Sequence, residues 1–143
     1  MKPRTIARLD LMTAAKEAQI RNEISQLTAK LADLAEQRRM LSRYHDQLGQ
    51  SWRASGVISA STAQRAGTFV TVARLADAQI MALESQSKTQ LAQALQNLAA
   101  IQSRRGGLEQ AAKHAWQADD RRNEHKHDLE LTSQYRRKQN TMT

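Results

Sequence analysis

Ile20, Ile24, Leu27, Leu31, Leu34, Leu41, Leu48 and Trp52 fall on one ladder of alternating four- and three-residue steps, with Arg38 and His45 on its two non-apolar rungs. Such spacing buries one narrow stripe of a helix against another helix. Upstream, Ile6, Leu9 and Met12 are apolar but drift off the ladder, so a first helix is predicted over about residues 5–54 with a frayed start. The ladder stops at Ala54-Ser55-Gly56-Val57-Ile58-Ser59-Ala60. Gly56 can take the left-handed conformation that ends a helix. Ser61 followed by Gln64 reads as a capping box that starts the next one.

A second helix is predicted over about residues 61–135, with a turn at 55–60 and a disordered tail at 136–143. Phe69, Val72, Leu75, Ile80 and Leu83 form its first apolar stripe. Leu83, Ser87 and Leu91 then step by four twice, which predicts a stutter that locally unwinds a supercoil. Ala94, Leu98, Ile101, Arg105, Leu108, Ala112 and Ala115 resume the ladder. A short turn makes the helices antiparallel neighbours. The expected fold is therefore all-α, a single domain of two long helices in an antiparallel two-stranded coiled coil. Placing Trp52 opposite about Thr62 puts Thr5 opposite about Glu109. Residues after about 110, Trp116 among them, are then left without an intramolecular partner. Gly106-Gly107 sits close to that point and suggests a hinge there.

Composition agrees with helices in contact along a seam. Alanine accounts for 23 of the 143 residues, and there are three valines, one phenylalanine and one proline, at position 3. That is too little β-branched and aromatic material for a β-rich or α/β globule. Without cysteine there is no disulfide framework and no thiolate metal site. No apolar run is long enough to cross a membrane, and none follows the basic start as a signal peptide would require. The net charge of +8 suits an acidic partner, a nucleic acid or a membrane surface. It is spread over both ends of the chain and forms no single polybasic block.

Catalytic chemistry finds little footing. His45, His114, His125 and His127 are the only histidines, and the last two are spaced two apart, so on a helix they point to different faces. Arg104-Arg105-Gly106-Gly107 lacks the lysine and hydroxyl residue of a phosphate loop. No catalytic, metal or cofactor site is expected, and the chain is read as a non-enzyme. Arg4 and Arg8 are too sparse for the basic region of a zipper, and Arg136-Arg137-Lys138 lies at the wrong end. Tyr44, Trp52 and Phe69 gather near the turn, either as a plug for that end of the seam or as a patch for a protein partner.

The layout of two helices about a Gly-Ser turn, with Gln37-Arg38-Arg39-Met40-Leu41-Ser42-Arg43-Tyr44 before it and Phe69-Val70 after it, resembles the FliJ family. The charged close Arg121-Arg122-Asn123-Glu124-His125-Lys126-His127-Asp128-Leu129-Glu130 is similar to that family's usual ending, although Leu129 splits its Asp-Glu pair. The resemblance covers most of the chain and rests on layout and local matches. FliJ proteins are coiled-coil stalks of the bacterial flagellar type III export apparatus. The resemblance implies binding to the hexameric export ATPase, to the cytoplasmic domain of the membrane export gate and to export chaperones. It also implies a cytoplasmic location at the inner-membrane apparatus. The gate patch would comprise Gln37, Leu41, Tyr44, Leu48, Phe69, Ala73, Ala76 and Ile80. The open end, with Arg4, Arg8, Trp116, Arg121 and Arg122, would face the ATPase ring. Alternatives are the equivalent stalk of a virulence secretion system, a basic coiled-coil nucleic-acid binder and a homo-oligomeric scaffold.

Overall fold

The structure, a computed structural model, describes residues 2–56 and 59–142; within them the side chain of Ser55 is not described. Two helices account for nearly all of it, α1 (Pro3–Ser55) and α2 (Ala60–Thr141), packed as an antiparallel helical hairpin. Proline suits the first position of α1, because its missing N–H would have had no partner there. The N–H groups of Thr5 and Ile6 donate to the carbonyl of Lys2, closing the first turn.

Gly56 ends α1 with φ of 67°, as the sequence predicts; any other residue would be strained in that conformation. The cap of α2 differs from expectation. The Oγ of Ser59, not that of Ser61, accepts the Thr62 N–H at 3.2 Å, and Ser59 Oγ also shares a 2.7 Å hydrogen bond with the Thr62 hydroxyl. The helix therefore starts two residues earlier than the capping-box pattern indicates. Val57 and Ile58, also placed in the turn, lie outside the described residues. At the far end α2 continues as helix through Thr141, beyond position 135.

Two compact units divide the chain: Gln19–Leu98, which contains the turn, and Met1–Ala18 with Ala99–Thr143, which contains the open end. In the turn unit the α1 ladder holds, with Leu27 and Leu34 buried and Ile20, Ile24, Leu31, Arg38, Leu41, Leu48 and Trp52 half-buried. The facing stripe of α2 is not the predicted one. Val72, Leu75 and Leu83 are exposed, and the seam runs through Ala66, Val70, Ala73, Asp77, Ile80, Glu84, Ser87, Leu91 and Ala94. These steps alternate four and three without interruption, so the predicted stutter is absent. Large apolar residues had marked a stripe that lies beside the true seam, where small and charged residues sit.

The open unit brings a second correction. The α1 ladder does not fray but continues through Ile6, Asp10, Thr13 and Glu17, of which Ile6, Thr13 and Glu17 are buried. Leu9, Leu11 and Met12 are exposed. Thr13 satisfies its buried hydroxyl by donating to the Leu9 carbonyl at 2.7 Å. On α2 the seam positions Ile101, Arg105, Leu108, Ala112, Ala115 and Asp119 are half-buried, whereas every described residue from 120 onward is exposed. Pairing thus reaches about nine residues past position 110. The helix passes unbroken through Gly106-Gly107.

Candidate functional site

Three sets of side chains stand out, and each begins with a helical position that packing alone does not explain. The first is a pair of arginine clamps. Arg38, on a rung of the α1 ladder, donates from Nε to Asp77 at 2.9 Å and from Nη1 to Glu84 at 3.4 Å. Arg105, on the α2 ladder, donates from Nε to Asp10 at 3.1 Å and from Nη1 to Glu17 at 2.7 Å. In both cases the two carboxylates are one heptad apart on the opposite helix, so they present along one stripe and a single guanidinium bridges them. The hydrogen bond to Asp77 holds the Arg38 guanidinium above its ordinary pKa; those to Glu17 and then Asp10 do the same for Arg105. An elevated arginine value means that, while the carboxylates are ionised, this stabilisation persists up to the ordinary arginine range and is lost only above it. Both clamps are partly solvated, so screening reduces what each contributes. They also shift the pairing. The turn-based register puts Ala76 opposite Arg38 and Leu9 opposite Arg105, and each guanidinium instead reaches the next residue and the one a heptad beyond.

The second set is an apolar patch in the turn unit. Tyr44 and Phe69 meet edge to face with centroids 5.0 Å apart, a geometry that aromatic pairs prefer. Around them Gln37, Met40, Leu41 and Ile80 line a shallow hollow on one face of the hairpin. Met40 and Tyr44 are exposed, and Val72, Leu75 and Leu83 add exposed apolar surface on α2. Of the residues that the resemblance assigns to a gate patch, Gln37, Leu41, Tyr44, Phe69 and Ile80 come together here. Ala73 does not; it lines a separate groove with Arg38, Arg39, His45 and Arg74. Leu48 and Ala76 are half-buried and do not line the hollow. Met40 was missed, because its position is off the seam and carries no periodic signal.

The third set is at the open end. Lys2, with Pro3, Arg4 and Ile6 of α1, faces Ala111, His114, Ala115, Trp116, Ala118, Asp119 and Arg122 of α2 across a groove of about 1180 Å³. Trp116 therefore does have a helix beside it, contrary to the register expected from the turn, although 59% of it stays exposed. Arg4 and Arg122 join Trp116 in this groove, while Arg8 and Arg121 are exposed outside it. Among the described residues, no group of three or more histidine, aspartate or glutamate side chains is placed to hold a metal ion. No helix among them is long and apolar enough to cross a membrane.

Compared with known proteins, the chain matches no family model, no curated sequence and no solved structure.

Proposed function

We propose that the chain is a non-enzymatic stalk and adaptor of a flagellar type III export apparatus, which binds the hexameric export ATPase, promotes its turnover and links it to the export gate and to export chaperones. The observation that carries this reading is the Tyr44–Phe69 pair, with Tyr44 exposed, Phe69 half-buried and the exposed Met40 beside them. A tyrosine and a methionine left open to water around a half-buried phenylalanine make a surface of the kind protein partners bury. The pair also falls where the FliJ resemblance would place the gate patch.

The proposed mechanism needs no chemistry from the hairpin. A ring of six identical subunits cannot make six equal contacts with one asymmetric hairpin. The hairpin can therefore bias which subunit interfaces close, and a differential contact of that kind shifts the ring between states.

The test is a pull-down of an export ATPase and of the gate's cytoplasmic domain by the wild type and by Tyr44→Ala/Phe69→Ala. Gate binding should fall at least tenfold while ATPase binding and stimulation persist. A wild-type chain that neither binds nor stimulates the ATPase, together with normal motility after deletion of its gene, would sink the proposal.

A further inference from the structure

From the open-end groove we infer that the start of α1 and residues 111–122 of α2 bind an acidic, helix-forming segment of a partner protein. An apolar side chain of that segment would rest on Trp116, with its carboxylates on Lys2, Arg4 and Arg122. The inference rests on the stalk reading for which protein supplies the segment, and on the groove alone for the segment's chemistry.

Charge is the first argument. Elsewhere in the chain the seam arginines are neutralised twice over, Arg38 by Asp77 and Glu84, and Arg105 by Asp10 and Glu17. In this groove none of Lys2, Arg4 and Arg122 forms an ion pair among the described residues, and Asp119 is the groove's one carboxylate. A cluster of unanswered cations around one cleft raises the local concentration of anionic groups and favours carboxylates that arrive with their own apolar surface. Shape is the second argument. Ala111, Ala115 and Ala118 recur at helical spacing along the cleft and leave a row of small side chains between Trp116 and the charged residues. Trp116 stands at the same cleft, and a large, half-open indole is the residue type most enriched among interface anchors.

A nucleic acid fits this surface less well. Its phosphates need a continuous basic track, and here the cations Lys113, Arg121, Arg122 and Lys126 are interleaved with Glu109, Asp119, Asp120, Glu124, Asp128 and Glu130.

A random library of 14-residue peptides, selected against the full chain, tests the inference. Isothermal titration calorimetry gives the affinities of every variant, and Trp116 emission is read in a Trp52→Phe background. The expected winners are rich in Asp and Glu with at least one large apolar residue, and they shift Trp116 emission to the blue on saturable binding. Arg4→Glu/Arg122→Glu should bind them at least tenfold more weakly with an unchanged circular dichroism spectrum, and Trp116→Leu should recover more binding than Trp116→Ala. Winners without acidic bias, equal binding by the charge-reversed variant, tighter binding of a 20-base-pair duplex, or a dimer of the chain that displaces the peptides would each overturn it. ATPase stimulation is measured separately on the same variants. Peptides that fail while stimulation persists refute the acidic segment alone, whereas peptides that bind with no effect on any export ATPase refute the stalk reading alone.

Discussion

Arg38 and Arg105 make the same construction from opposite helices, each bridging an aspartate and a glutamate one heptad apart, yet they are set in different surroundings. The Arg38 clamp lies in a seam that also holds Leu27, Leu31, Leu34, Leu41 and Ile80. Around the Arg105 clamp the α1 side of the seam is Ile6, Asp10, Thr13 and Glu17, and the α2 side is Ile101, Leu108 and alanines. The Glu17 side chain is 9% exposed, against 21% for Glu84. The turn unit is thus held mainly by apolar burial, with its clamp fixing register. In the open unit the clamp is a larger share of what joins the helices. Ion pairs that replace apolar seam residues give up stability for a defined alignment in the best-attested coiled-coil cases.

The largest test of that contrast is in the turn unit. Leu34→Ala removes a buried side chain from a seam that cannot easily collapse, and it should cost about 2–3 kcal/mol by urea denaturation. Hydrogen exchange should show the loss within residues 19–98. If the open unit loosens equally, the two units do not differ in what holds them.

The clamps come next. Arg105→Ala takes a cation from a Glu17 side chain that is 9% exposed, whereas Arg38→Ala takes one from a Glu84 side chain that is 21% exposed. The melting temperature should therefore fall by several degrees for Arg105→Ala and by less for Arg38→Ala. Sodium chloride at 1 M should narrow the gap, since the Debye length falls to about 3 Å. Equal losses would mean that the carboxylates' exposure does not set the cost. Replacing Asp10, Glu17 and Arg105 together by leucine sharpens the point, because the seam should then gain stability and lose its unique register.

A smaller effect is expected at Ser87. It is 1% exposed, and its hydroxyl has no hydrogen-bond partner among the described residues. Removing an unpaired buried hydroxyl relieves a desolvation penalty, so Ser87→Ala should stabilise the chain by about 1 kcal/mol with an unchanged denaturant slope. A loss of stability would show that a water partners the hydroxyl in solution.

The same residues explain how much of the molecule could be read from the sequence. Leucine and isoleucine at regular spacing revealed α1 from Ile20 onward, and Gly56 revealed the turn. What stayed hidden was each stretch of seam built from residues that usually face water. Asp10, Thr13 and Glu17 look like a frayed helix until Arg105 is seen opposite them. Asp77, Glu84 and Ser87 look like solvated positions, while Val72, Leu75 and Leu83 suggested a false stripe. A clamp leaves a faint signature, acid and acid seven apart with an arginine elsewhere, and only pairing the helices in the correct register exposes it. The patch at Tyr44 and Phe69 was legible as aromatics near a turn. Met40 became visible only once the hollow around that pair was formed.

The smallest effect separates the two units by backbone rather than side chain. A Cβ added at Gly106 or Gly107 meets nothing within 4 Å, so neither glycine is needed for packing within the chain. Both lie inside α2, where glycine costs about 1 kcal/mol relative to alanine. Gly106→Ala and Gly107→Ala should therefore each stabilise the open unit by about 0.5–1 kcal/mol, seen as slower amide exchange across residues 99–119 and little change around Tyr44. If the substitutions leave exchange unchanged, the glycines do not weaken the helix and the contrast between the units rests on the seam alone. If exchange slows and ATPase stimulation falls with it, pliancy of α2 beside the Arg105 clamp is part of how the open end works.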